Sequence, residues 1–158
     1  MPPIISFVGK HNSGKSTLLA KVVSILTGQG IKLAVIKHAS HYVSIEPAGD
    51  SEKLFLAGAD VVYVASPEIS IKYEHRPELS LNSIYEQVAE GMDLIITEGF
   101  KRESAMKIEV MRREISTRPL EVENVIARVT DFPIDGDIPA FTFDQAEQIA
   151  QFIIASTQ

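Results

Sequence analysis

Cysteine is absent from this 158-residue chain. Disulfide frameworks, thiolate metal sites and iron–sulfur clusters are therefore excluded as organising features. The absence fits a reducing compartment, and a cytoplasmic protein is expected. Positive charge is scarce as well: 15 Lys and Arg against 21 Asp and Glu leave a net charge of −6. That balance argues against broad nonspecific nucleic-acid binding. Long apolar runs are missing too, since nothing approaches the roughly eighteen residues of a membrane span. The first residues, about seven of them apolar, carry neither a basic lead nor a cleavage pattern, and read as a core strand rather than a signal peptide. No repeat, low-complexity tract or domain linker is evident. What remains is ordinary globular composition, 45% hydrophobic and 23% charged, and one domain spanning residues 1–158 with a sizeable core is expected.

The most informative stretch comes early. Gly9-Lys10-His11-Asn12-Ser13-Gly14-Lys15-Ser16, followed by Thr17, spells G-x-x-x-x-G-K-[ST]. The apolar run Ile4 to Val8 precedes it with strand composition, and Leu18, Leu19, Val22, Val23 and Leu26 follow at helical spacing. Strand, glycine-rich turn and helix form the context in which this spelling means a phosphate-binding loop. Successive backbone N–H groups must face one concavity to hold a phosphate, so glycine is needed where a Cβ would interfere. The helix that follows directs its positive dipole end at the same anion. Lys15 can reach the β- and γ-phosphates, and the Ser16 hydroxyl can join the coordination of Mg²⁺. Gly9, Asn12, Ser13, Gly14 and Thr17 complete the expected nucleotide contacts.

Elsewhere, apolar runs alternate with helical periodicity. Helices are predicted over Lys15 to Thr27, Asp50 or Ser51 to Ala57, a segment capped by Ser80 and ended by Gly91, and a closing helix opened by Asp144 and Glu147 in the manner of a capping box. Strands are predicted over Lys32 to Lys37, Val61 to Ala65, Ile69 to Tyr73, Leu94 to Thr97, Lys107 to Met111, Val125 to Val129 and Ala140 to Phe143. The pattern implies an α/β fold of the P-loop NTPase kind, with a mainly parallel sheet and helices on both faces. Ligands of such sheets gather beyond the carboxyl ends of the strands.

That rule sorts the other candidates. Asp93 and Glu98 flank one strand, and five residues at about 3.3 Å each separate them by roughly 16 Å, too far to serve one ion. Glu98 lies on the carboxyl side, so it is the expected partner of magnesium or its water and the one candidate for a catalytic acid; Asp93 reads as a strand-opening residue. Lys101 and Arg102 follow that strand as an anion contact or a solvated turn. Lys37 and His38 end the second strand, with His41 three residues on. These could meet substrate phosphate or the magnesium shell, bind a metal as a histidine pair, or merely shape a loop. Asp50 is equally open. Asp131 could accept from both N1–H and the 2-amino group of guanine, although the usual Asn/Thr-Lys-x-Asp spelling is missing and a turn aspartate is the other reading. Arg112, Arg113 and Arg118 are either solvated or a docking site for an anion.

Together these segments resemble the MobB family, the molybdopterin-guanine dinucleotide biosynthesis adapter proteins. The resemblance rests on Gly9 to Thr17, Ile36-Lys37-His38 with His41, Asp50-Ser51, Ala57-Gly58-Ala59, Asp93 to Lys101 and Lys107 to Val110 with the basic residues beyond, and on the strand running to Thr130-Asp131. It implies a GTP-binding homodimer with Mg²⁺ and at most slow hydrolysis. Such a protein assists attachment of GMP to molybdopterin, beside the molybdenum cofactor guanylyltransferase, with neither nucleic acid nor membrane as partner. Two other functions fit the residues: a P-loop kinase acting on a small metabolite, and a GTP-gated metallochaperone with His38 and His41 as ligands.

Overall fold

The computed structural model describes all 158 residues. In chain order its elements are β1 (Ile4–Val8), α1 (Lys15–Gly28), β2 (Leu33–Lys37), α2 (Asp50–Leu56), β3 (Val61–Ala65), β4 (Ser70–Glu74), α3 (Leu81–Val88), β5 (Leu94–Glu98), β6 (Met106–Met111), β7 (Val125–Thr130), β8 (Ala140–Phe141) and α4 (Ala146–Thr157). The chain divides into two compact units, Met1–His38 with Leu81–Gln158, and Ala39–Ser80.

The larger unit is built on a six-stranded sheet ordered β2-β5-β1-β6-β7-β8. Every pairing in it is parallel. Helices lie on both faces, and alternation along β5 shows why. Leu94 and Ile96 face one way, into a core shared with Ile5, Phe7, Ile108 and Val110 and closed by α1 and α4 through Leu18, Val22, Leu26, Ile149 and Ile153. Ile95 faces the other way and joins Ile36 against Leu81 and Tyr85 of α3. A strand covered on both sides needs an unbroken apolar run, which is what Leu94-Ile95-Ile96 supplies.

The α3 side of the sheet turns polar toward β6 and β7. Ser6 and Thr97, both fully buried, share a 2.7 Å hydrogen bond. Lys107 is buried, its ammonium donating to the carbonyls of Glu103, Ala105 and Glu123, and burial lowers its pKa against the opposing pull of Glu123 and Glu103. Glu109, also buried, accepts from Arg128 Nε at 3.1 Å and from the Leu120 amide at 2.6 Å. Buried charges of this kind stand only when each lone pair and proton is matched.

Several boundaries differ from the sequence expectation. Helix α1 takes in Gly28, and the chain turns at Gly30, where φ is +84°. Strand β2 starts at Leu33 because the Lys32 amide is given to the Asp93 carboxylate at 2.9 Å. Strand β8 stops at Phe141 instead of reaching Phe143. The expected capping box at Asp144 does not form, since Asp144 accepts from the Thr142 hydroxyl and α4 begins at Ala146 with no side-chain cap. The shorter partner won: a hydroxyl two residues back is reached at lower entropic cost than an amide across a helical turn.

The smaller unit pairs β3 with β4 as an antiparallel hairpin, with Val62 opposite Tyr73 and Tyr63 opposite Lys72. Phe55 of α2 packs on Tyr73 and stacks on His75, with ring centroids 3.9 Å apart in the stacked pair. Glu52 accepts from the Tyr73 hydroxyl at 2.7 Å, which holds its carboxyl below the usual range.

Arg128→Met should leave Glu109 charged, buried and half-satisfied. Urea unfolding should then show a loss of about 3–5 kcal/mol, largely regained when Glu109→Leu is added.

Candidate functional site: the phosphate loop and the strand ends

The loop between β1 and α1 sits at the carboxyl end of the sheet. At Gly9 the backbone runs so close to β6 that a Cβ would lie 2.4 Å from the Val110 carbonyl oxygen. Gly14 is left-handed, with φ +86°, and a Cβ there would meet the Arg112 guanidinium at 3.0 Å. Glycine is thus required at both motif positions, by sterics at the first and by conformation at the second. Asn12 is also left-handed, with φ +59°, which asparagine tolerates better than most side chains.

Inside the turn the Ser13 amide donates to the Lys10 carbonyl at 3.2 Å. The Ser13 hydroxyl is buried without a protein partner. Gly9, Lys10, Ser13, Glu109 and Arg112 line a cavity of about 10 Å³ beneath the loop, room for about one water. Lys15 arches over the loop, its ammonium donating to the carbonyls of Gly9 at 3.0 Å and Lys10 at 3.1 Å. Burial lowers the Lys15 pKa, the Glu98 carboxylate opposes that shift, and Lys37 adds to it.

Glu98, at the carboxyl end of β5, comes directly to this cluster. Its Oε1 accepts from the Ser16 hydroxyl at 2.7 Å, and its Oε2 lies 3.7 Å from the Lys37 ammonium. Two neighbouring ligands of an octahedral magnesium at about 2.1 Å stand about 3.0 Å apart, so the Ser16–Glu98 spacing fits such an ion. His38 follows on β2, its amide bonded to the Glu98 carbonyl at 2.9 Å and its ring 5.1 Å from that of Phe100. Thr17 and Lys101 are exposed. No three His, Asp or Glu side chains come together as metal ligands could, and the histidine-pair reading gains nothing from the structure.

The structure gathers Lys15, Ser16, Glu98 and Lys37 with the loop glycines on one flank and leaves Asp131 on the other, at the end of β7. There Asp131 Oδ1 accepts the Arg113 amide at 2.8 Å. Two of the three arginines flagged in the sequence are held on aromatic rings, Arg112 over Phe143 at 4.1 Å and Arg113 over Phe132 at 5.6 Å. Phe143 and Phe100 were not legible as site residues; the available signal was an aromatic placed just past the carboxyl end of a core strand.

A sequence model of the family described as MobB, molybdopterin guanine dinucleotide synthesis protein B, matches residues 4–131. The chain belongs to the MobB family. Its likeness to individual MobB proteins runs along nearly the whole length. The molybdopterin-guanine dinucleotide biosynthesis adapter protein of Escherichia coli (strain K12) is 32% identical over 98% of this chain and 93% of its own length. Its namesake from Haemophilus influenzae is 35% identical over 96% of this chain and 87% of its own length. A crystal structure of molybdopterin-guanine biosynthesis protein B matches with a TM-score of 0.78 at 32% identity, covering 96% of this chain and 98% of that one. Bacillus subtilis MobB, at 23% identity and covering 99% of this chain and 98% of that one, has a TM-score of 0.80 and shares the fold.

Gly9→Ala should force the loop and β6 apart, lowering stability by about 1–3 kcal/mol in thermal unfolding. Gly28→Ala, where a Cβ meets nothing within 4 Å, should instead raise it by about 0.5–1 kcal/mol.

Proposed function

We propose that the chain is a GTP-binding adapter that assists attachment of GMP to molybdopterin in the cytoplasm, working beside the guanylyltransferase that performs the transfer. The observation that carries this reading is the convergence of Lys15, Ser16 and Glu98 on a loop with glycine at the two positions where a side chain would clash or strain the backbone. Lys15 would exchange its two carbonyl partners for β- and γ-phosphate oxygens. Ser16 and Glu98 would hold Mg²⁺ directly or through its water. The ion, when bound, neutralises charge on the β- and γ-phosphates. Asp131, with one oxygen committed to the Arg113 amide, keeps the other for a guanine edge.

Turnover should be slow. Both Glu98 oxygens are engaged, Oε1 by the Ser16 hydroxyl and Oε2 by Lys37, and as a magnesium partner it would not be free to act as a base on an attacking water. A metabolite kinase would need a mobile arginine lid. Arg112 and Arg113 are instead stacked on Phe143 and Phe132, and Leu120 in the same stretch is bonded to buried Glu109.

A homodimer is part of the proposal. The hairpin of the smaller unit offers Val61 and Tyr63, 48% and 64% exposed, on one face. Both its edges are unpaired in the chain, an arrangement that favours association.

Calorimetric titration with GTP and ATP, with and without Mg²⁺, tests the nucleotide reading. GTP should bind more tightly than ATP and more tightly with Mg²⁺; Lys15→Ala should lose at least tenfold in affinity at an unchanged melting midpoint, and Glu98→Gln should lose the magnesium dependence. Unaltered GTP affinity in Lys15→Ala would overturn it. Sedimentation velocity tests the dimer: Tyr63→Glu, placed opposite Lys72, should keep the hairpin and yield a monomer.

A further inference from the structure

The Ser16–Glu98 hydrogen bond gives the site a direction. Ser16 and Glu98, which would hold magnesium, lie on the β5 flank of the loop, with Lys37 beyond. Magnesium held there would neutralise charge on the terminal phosphates, as would Lys37, so that flank suits the phosphate end of a nucleotide. The nucleoside must then leave the loop the other way, over the carboxyl ends of β6, β7 and β8. Those ends carry Arg112, Asp131 and Phe143.

Arg112 follows the last residue of β6 and Asp131 the last residue of β7, and the register pairs Met111 with Thr130 just before them. The two stand side by side without forming an ion pair, unlike Arg128 and Glu109 on the same two strands. The Arg112 guanidinium packs between two surfaces that accept no hydrogen bond: its carbon lies 4.1 Å from the Phe143 ring centroid, and two of its nitrogens lie 3.0 Å from where a Cβ of Gly14 would stand. A planar array of donors is thereby fixed beside a carboxylate that has one oxygen in use. Each carboxylate oxygen can accept more than one hydrogen bond, so a ligand complementary to both groups presents adjacent acceptors next to adjacent donors. Guanine does so around two adjoining edges, N7 and O6 on the Hoogsteen side followed by N1–H and the 2-amino group on the Watson–Crick side. Adenine places an amino group where the guanidinium also brings N–H, so donors would face donors.

We propose that Arg112, held by Phe143 against Gly14, is a specificity-determining residue that donates to N7 and O6 of the guanine base whose N1–H and 2-amino group are accepted by Asp131. The assignment rests on the reading of the loop as a guanine-nucleotide site. It also gives Arg112 a place in the nucleoside half of the site and removes it from the γ-phosphate, where an arginine acting on hydrolysis would stand.

The test is calorimetric, on the full chain with Mg²⁺, comparing GTP, 7-deaza-GTP (which lacks the N7 acceptor) and ATP. The unaltered protein should bind 7-deaza-GTP about tenfold more weakly than GTP, since a bidentate arginine contact discriminates on that order. Arg112→Met keeps an apolar stem on Phe143; it should bind GTP at least tenfold more weakly, treat GTP and 7-deaza-GTP alike, and bind ATP no worse than before. Equal losses for GTP and ATP would make Arg112 a phosphate contact and overturn the proposal, as would an unchanged GTP-to-ATP ratio. Because Arg112→Met could fail to fold, the unaltered chain is decisive by itself: less than twofold discrimination between GTP and 7-deaza-GTP also overturns it. Failure of the unaltered chain to bind any nucleotide would remove the loop reading beneath it, a result distinct from the others.

Discussion

A hydrogen bond between the Ser16 hydroxyl and the Glu98 carboxylate joins two segments 82 residues apart in sequence. One end starts a helix and the other ends the neighbouring strand. For the bond to close, β1 and β5 must pair in one register, Phe7 opposite Glu98, and α1 must start immediately after the loop. Slipping β5 by one residue would send Glu98 to the other face and expose Ile95 or Ile96 in the wrong core. The chemistry of the site and the packing of the sheet are therefore set by the same register, and the apolar run Leu94-Ile95-Ile96, buried on both faces, enforces it.

The parts of the fold that were legible in the sequence share a cause. The strand, glycine turn and helix at Ile4 to Gly28 could be read because apolar run, glycine and helical spacing each meet a separate local demand. That Glu98 and Asp93 stand at opposite ends of one strand needed only the length of that strand; in the structure Glu98 meets Ser16 and Asp93 holds the Lys32 amide at the far end of β5. What could not be read were contacts made by the sheet order. Nothing near Arg112 in sequence signals Phe143 or Gly14, because β6 and β8 are brought around the loop only by the crossover connections. The Asp144 cap failed for a local reason: Thr142 lay closer than the helix amides.

The polar half of the α3 side has no counterpart in composition. Lys107 and Glu109 alternate with apolar residues along β6, yet both are buried. The stretch beyond β6 supplies the Leu120 amide, β7 supplies Arg128, and the carbonyls around Lys107 accept its hydrogen bonds. Such a network contributes little net stability beside an apolar alternative. It does fix where β7 lies against β6, and with it the positions of Asp131 and Arg112.

The order of strands also governs how the chain comes off the ribosome. β1 is made first, but its two neighbours, β5 and β6, follow roughly a hundred residues later, and at about 5–20 residues per second it waits on the order of 5–20 s for either. The β3–β4 hairpin, whose contacts are all local, can close within about 1–10 μs of being synthesised. The loop that defines the protein is thus among the last parts to acquire its shape, and until then Ile4, Ile5, Phe7 and Val8 stand as an unprotected apolar strand for whatever chaperone meets the nascent chain.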